Sequence, residues 1–307
     1  MKMTSMRWNN PVLSSELKTR MRGWKTAFGI AAYLGVLLLI GFLYYLAYVQ
    51  QSLSWDASVN ARQSVGMAIY TMLAVVQFTL ILLITPAQTA GSISGEREKQ
   101  TLDLLLSTRM SPFGIVFGKL LSSMSYMVLL IFTSLPLFSL VFLFGGVTPG
   151  DMAKLFLFYI ITAFAIGSIG IFFSTLFRRT VTATVLTYLS MFLLGLVSVI
   201  LGVYMLSVRY AGPNPPQTPS VPFVLYVNPA VGLADIISKQ SYGGLFSMLG
   251  MRAGQALQGF DFWIWNSAVM LAIALCLLLI SVYKINPIRH LGRRRRGKEK
   301  SHTDRNG

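Results

Sequence analysis

The chain is poor in charge, cysteine and histidine for its length. Charged residues make up 12% of its 307 residues, whereas soluble domains carry about 25%. The single cysteine, Cys276, lies within an apolar run, which excludes a disulfide framework inside the chain. Both histidines, His290 and His302, lie in the C-terminal tail, and no cluster of His, Cys and Asp has the spacing of metal ligands. This composition argues against a soluble or disulfide-stabilised domain.

Sequence signatures of catalysis are also missing. Apart from Lys119, the interiors of the long apolar runs contain no Asp, Glu, Lys, Arg or His, which argues against proton-coupled transport and intramembrane proteolysis. The segment from Gly114 to Leu120 resembles a Walker A motif but is one residue short and has Leu where Ser or Thr should hold magnesium. We interpret Gly114 and Gly118 instead as a helix-packing pair. The sequence therefore predicts a protein that is not itself an enzyme.

Long apolar runs dominate what the sequence does contain. Hydrophobic residues make up 54% of the chain, and the mean hydropathy is +0.62. Crossing a bilayer takes about 20 helical residues, and six runs reach that length. The sequence thus predicts an all-α membrane protein with six transmembrane helices. The predicted spans are residues 27–49, 64–93, 113–144, 154–177, 181–208 and 262–283.

Three further segments complete the predicted domain organisation. Residues 1–26 form a cytoplasmic segment in which apolar residues recur every three or four positions from Leu13, as in an amphipathic helix lying on a membrane surface. Residues 27–284 form the six-span domain. Within it, residues 209–261 are too interrupted for a span and too apolar for a solvated loop, so we expect short re-entrant or interfacial helices on the outer face. Residues 285–307 form a basic cytoplasmic tail.

The formal net charge of +16 raises the question of nucleic-acid binding. The run from Arg293 to Arg296 would suit RNA or anionic lipid, but no aromatic residues interleave it as a stacking platform would need. With six spans and both termini in the cytoplasm, the cytoplasmic side holds 21 basic residues and the outer side five. This asymmetry favours a topological role for the positive charge, with lipid contact in addition and no nucleic-acid partner.

The densest charge cluster between the first and last spans occupies residues 94–112. From Gly95 it reads Gly-Glu-Arg-Glu-Lys-Gln-Thr-Leu-Asp-Leu-Leu-Leu, and it ends at Ser-Pro. Glu96 and Glu98 would lie in the first turn of a helix, where acidic groups suit the helix dipole. Leu102, Leu105 and Leu106 would share one stripe. The pattern predicts a short amphipathic helix in a cytoplasmic loop, and the plain alternative is a solvated loop between two spans.

This motif is similar to the intracellular loop of ABC-2-type transport permeases, the membrane subunits of ATP-binding-cassette exporters. Arg109 departs from the pattern, since many relatives continue directly to a proline there. The resemblance implies that residues 94–112 form the coupling helix that docks on the ATPase subunit. It implies that Glu96, Arg97 and Glu98 make the charged contacts to the ATPase. The three leucines of the stripe would pack into a cleft on the ATPase or against the base of the spans. The site residues carried over are Glu96, Arg97, Glu98, Thr101, Leu102, Leu105 and Leu106.

The resemblance also implies the assembly and its energy source. A separate ATPase subunit would bind ATP and magnesium, so this chain needs no cofactor of its own. Two permease chains would pair as a homodimer or a heterodimer in the plasma membrane. Lipids, hydrophobic drugs and peptides all remain open as substrates. Two other functions also remain open, a secondary transporter or channel and a membrane scaffold that transports nothing.

Overall fold

The computed structural model describes residues 23–52, 59–101, 112–210, 221–240 and 261–285, and every regular element within these ranges is helical. Six of the helices are long and apolar enough to cross a membrane, which confirms the predicted fold class. These six spans are α1, α2, α4, α6, α7 and α9 in the numbering that follows. The α-helices are α1 (Trp24–Ser52), α2 (Val59–Thr89), α3 (Ser94–Glu98), α4 (Pro112–Thr133), α5 (Leu135–Ser139), α6 (Pro149–Leu176), α7 (Thr180–Tyr210), α8 (Pro229–Gln240) and α9 (Phe262–Ile285).

The third span differs from its predicted form because it is not one helix. It breaks at Ser134, between α4 and α5, and continues as a short 3₁₀ helix over Leu140–Leu143. Pro136 explains the break, since proline has no N–H for a helical hydrogen bond and its ring crowds the preceding turn. The Ser134 hydroxyl donates to the Ile131 carbonyl at 2.7 Å and so satisfies one group at the break.

The turn before the fourth span is confirmed, and the span begins earlier than predicted. Gly145 and Gly146 have φ angles of 79° and 94°, a backbone region that glycine enters without strain. Helix α6 begins at Pro149 because Thr148 caps it: the Thr148 hydroxyl oxygen accepts the backbone N–H of Asp151 at 3.2 Å. The helix therefore starts within the predicted loop.

Helix α6 lies at the centre of the bundle. It packs against four of the other spans, α2, α4, α7 and α9, and is the most deeply buried of the six. The buried Tyr159 hydroxyl donates to the Ala74 carbonyl of α2 at 2.8 Å. Further along the same contact, a methyl group added at Gly170 would overlap the Thr89 side chain. Helices α2 and α6 thus run side by side in close contact, and α2 ends beside the C-terminal half of α6.

The part of residues 209–261 that the structure describes contains two short helices, and their re-entrant or interfacial position on the outer face stays a prediction. These are a 3₁₀ helix, Phe223–Val227, and α8. The backbone between them is not helical, and buried amides hold it. Asn228 Nδ2 donates to the Gly195 carbonyl at 3.1 Å and to Ser198 Oγ at 2.9 Å. Asn266 Nδ2 donates to the carbonyls of Tyr226 at 2.7 Å and Asn228 at 3.1 Å. Buried backbone groups outside regular helices are normally satisfied by hydrogen bonds of this kind.

A buried carboxylate ties α8 to the start of α9. Asp235 Oδ2 accepts the backbone N–H of Trp263 at 3.1 Å and lies 3.5 Å from Lys239 Nζ. Lys239 also reaches Asp261, at 2.8 Å. Burial raises the pKa of Asp235, and the hydrogen bond from Lys239 lowers the pKa of Asp261. Because the Trp263 N–H belongs to the first turn of α9, Asp235 satisfies a donor that the helix itself leaves unpaired.

The predicted amphipathic helix through Leu13 and the predicted basic tail after Ile285 lie outside the described residues. Both stay predictions. The domain boundaries drawn from the sequence at 26 and 284 likewise stay predictions.

Candidate coupling site

The chain leaves α2 through a tight turn that is anchored to two other helices. The backbone N–H groups of Ile93 and Ser94 both donate to Ser174 Oγ of α6, each at 2.9 Å. A Cβ added at Gly91 would lie 2.9 Å from the Thr180 methyl group at the start of α7. The charged motif therefore begins at a point where α2, α6 and α7 meet.

Glu96 connects the motif to the third span. Its Oε1 lies 3.0 Å from Nζ of Lys119 on α4, and its Oε2 accepts a hydrogen bond from the Thr101 hydroxyl. The Lys119 side chain is 7% exposed and the Glu96 side chain 26% exposed. A lysine that is so deeply buried requires a charged partner, and Glu96 supplies it.

Arg97 connects the motif to the end of the fourth span. Its Nη1 donates to the Thr175 carbonyl at 2.8 Å, in the last turn of α6. The last four carbonyls of a helix have no partner within the helix, and together they carry partial negative charge. The guanidinium therefore satisfies an unpaired acceptor and also complements the dipole of α6.

Glu98 connects the motif to the start of the fifth span. Its carboxylate accepts the backbone N–H of Thr180 at 2.9 Å and the Thr180 hydroxyl at 2.7 Å. Thr180 is the first residue of α7. Negative charge at this end of a helix is favourable, because the free N–H groups point toward it.

Three consecutive charged side chains thus contact three different spans: Glu96 reaches α4, Arg97 reaches α6, and Glu98 reaches α7. The sequence interpretation assigned all three to the ATPase surface, whereas in the structure each has a partner within the chain. Their partners were missed as site residues. Of these partners, only Lys119 was noticeable in the sequence, as the one charge inside a predicted span. The others were not, because contacts between residues 23 to 82 positions apart leave no local pattern.

Helix α3 is shorter than the predicted amphipathic helix. It ends at Glu98, which therefore lies in the last turn and not in the first. Gln100 then adopts a φ of 57°, in the left-handed region that ends helices. Residues 102–111 lie outside the described part of the chain, so the stripe formed by Leu102, Leu105 and Leu106 stays a prediction.

Among the described residues, no three of His, Cys, Asp and Glu are grouped so that they could hold a metal ion. In a comparison with protein families, a model described as "ABC-2 family transporter protein" matches residues 51–283, most of the chain. A search of curated proteins returns no match. The matched segment contains the motif, its three partner spans and the short helices before α9. The chain belongs to the ABC-2 family of transporter proteins.

Proposed function

We propose that this permease subunit of an ABC transporter exports its substrate, driven by ATP that a separate ATPase subunit hydrolyses. The observation that supports this most is that Glu96 contacts α4, Arg97 contacts the C-terminal end of α6, and Glu98 contacts the N-terminal end of α7. A force applied to the segment that follows Thr101 would reach three spans at once. A solvated loop between two spans would need none of these contacts.

The internal contacts change the roles we assign within the motif. Glu96, Arg97, Glu98 and Thr101 carry movement from the coupling segment to the spans. Leu102, Leu105 and Leu106 are the residues we assign to ATPase contact. When the ATPase pair closes on ATP, the leucine stripe moves with it, and the three anchored spans move together.

The remaining parts of the proposal concern assembly and orientation. Two permease chains, identical or different, pair with two ATPase subunits in the plasma membrane, in contact with its lipids. ATP and magnesium bind the ATPase subunits, and this chain carries no cofactor. The termini and the motif lie in the cytoplasm, on the side where the sequence places 21 of the 26 basic residues.

The test is affinity purification of the tagged chain from mild detergent, with identification of co-purifying proteins. The double variant Leu102→Asp, Leu105→Asp places two carboxylates on the predicted contact stripe. Leu104→Asp is the matched control, because residue 104 falls on the opposite side of a helix through this segment. We expect an ATPase with Walker motifs to co-purify with the native chain and with the control, and to be lost from the double variant.

Two outcomes would contradict the proposal. If no ATPase co-purifies with the native chain, a secondary transporter or a scaffold becomes the better interpretation. If the double variant retains the ATPase as fully as the control does, the leucine stripe is not the docking surface.

A further inference from the structure

An apolar cleft lies between spans α2, α6, α7 and α9. Its volume is about 410 Å³, which falls in the range of about 300–1,000 Å³ that is typical of small-ligand sites. Carbon atoms form almost all of its surface. The turn at Asn228 closes one side of it. The residues that define this cleft are Leu82, Ile166, Tyr188, Gly195, Asn228 and Met270.

Backbone features of α2 and α7 leave this space open. Pro86 lies inside α2, so the Leu82 carbonyl lacks its helical N–H partner at the wall of the cleft. At the next residue of α2, the Leu83 carbonyl accepts a hydrogen bond from the Tyr188 hydroxyl of α7. On α7, a Cβ added at Gly195 would meet no atom within 4 Å. The space beside position 195, which lines the cleft, is therefore open to an added Cβ.

A second hollow continues from the cleft along α2. It shares Leu83 with the cleft and runs past Gln88 to Gly91 and Ser92, so its lining becomes more polar along its length. Gly91 lies against Thr180. The two residues before Thr180, Arg178 and Arg179, are exposed. The two hollows adjoin at Leu83, and together we call them the groove. The groove passes from apolar surface to polar groups, and Gly91 at its polar end lies against Thr180, the residue that follows the two arginines.

We propose that this groove binds one anionic phospholipid of the surrounding bilayer. One acyl chain fills the apolar cleft at Gly195, and the headgroup phosphate lies at Arg178 and Arg179. Burial of an acyl chain suits a surface without polar groups, and basic residues beside a span attract anionic headgroups. This proposal requires only that the chain spans a membrane, so it does not depend on coupling to an ATPase.

The test uses the purified permease in vesicles that contain phosphatidylglycerol with a photoreactive diazirine midway along one acyl chain. The variant Gly195→Phe fills the cleft. Gly35→Phe is the matched control, because Gly35 lies exposed on α1 and an added Cβ there also meets no atom within 4 Å. We expect labelling of peptides containing Met191 and Met270 to fall about tenfold in Gly195→Phe, since the chain loses the burial of several methylene groups.

The control is expected to keep the native labelling. Labelling that is equal in Gly195→Phe and in the native chain would overturn the proposal, as would native protein whose labels are spread evenly over all six spans. Cross-linking of α7 to a second copy of the chain, without lipid label in the cleft, would show that a subunit covers it and would also overturn the proposal.

The headgroup is tested with the same photoreactive acyl chain on phosphatidylcholine, which has no net charge. We expect the native chain to prefer phosphatidylglycerol, and the double variant Arg178→Ala, Arg179→Ala to label equally with both lipids. Equal labelling by the two lipids in the native chain would overturn the selection of an anionic headgroup. The measurement needs no ATPase, so its failure leaves the proposed coupling function untouched.

Discussion

At the scale of single residues, the charged motif supplies a carboxylate to the buried ammonium group of Lys119. A lysine ammonium group with a side chain only 7% exposed loses most of its hydration, and a buried charge without a partner is strongly unfavourable. Glu96 approaches it to 3.0 Å from a segment that is 23 residues away in the sequence. Thr101 holds the second carboxylate oxygen of Glu96 in place. The ion pair between Glu96 and Lys119 therefore favours packing of the motif against α4.

Removal of Glu96 alone should be more harmful than removal of both charges. The variant Glu96→Ala removes the carboxylate that lies 3.0 Å from the buried Lys119 ammonium, and we expect a loss of about 3 kcal/mol in the free energy of unfolding. The double variant Glu96→Ala, Lys119→Met removes the buried positive charge as well and should recover most of that loss. Thermal unfolding of the two single variants, the double variant and the native chain in one detergent measures the coupling energy. Additive effects would contradict a direct ion pair.

At the scale of elements, the sequence was sufficient for the six spans because each needs only a long apolar run. It was sufficient for the turn at Gly145 and Gly146 as well, since glycine content marks such turns locally. The break at Ser134 was missed because Pro136 was placed inside a single long span, although proline disfavours a continuous helix. The early end of α3 was missed for a different reason. Gln100 is not a residue type that signals a left-handed conformation.

The candidate site was predictable in part. The motif and its position between two spans were visible, because charge inside an apolar chain stands out. The partners of the motif were not, because Ser174, Thr175 and Thr180 are ordinary residues at helix ends. Only the packing of α2 beside α6 brings them to the motif. Contacts of this kind depend on the tertiary arrangement of the helices and leave no periodic pattern in the sequence.

The tie between α8 and α9 gives a prediction at the same scale. Asp235→Ala leaves the Trp263 N–H without its acceptor, and we expect a loss of about 1–3 kcal/mol in stability. Asp235→Asn keeps an acceptor oxygen and carries no charge to bury, so its loss should be smaller. Thermal unfolding in detergent compares the two variants. Hydrogen exchange at the first turn of α9 should accelerate in the alanine variant and change little in the asparagine variant. The reverse order would contradict the capping role of Asp235.

At the scale of the whole molecule, α6 contacts the charged motif at one end of the bundle and α8 at the other. Its C-terminal end accepts the hydrogen bond from Arg97, and Ser174 near that end anchors the entry to α3. Phe158, in its N-terminal half, packs beside Gly232 of α8. Because α6 also contacts α2, α4, α7 and α9, displacement at the motif would act on the most connected helix of the bundle. This central placement is what the proposed coupling requires.

The orientation of the whole chain depends on many basic residues and should resist the loss of a few. Deletion of Arg293 to Arg296 leaves 17 basic residues on the proposed cytoplasmic side against five on the other, so a reporter fused after residue 307 should stay cytoplasmic. Neutral substitution of the nine basic residues from Lys284 onward and the six before Ala27 leaves six against five. We expect mixed orientation in that variant. An inverted reporter after the four-residue deletion would contradict the summed-charge explanation.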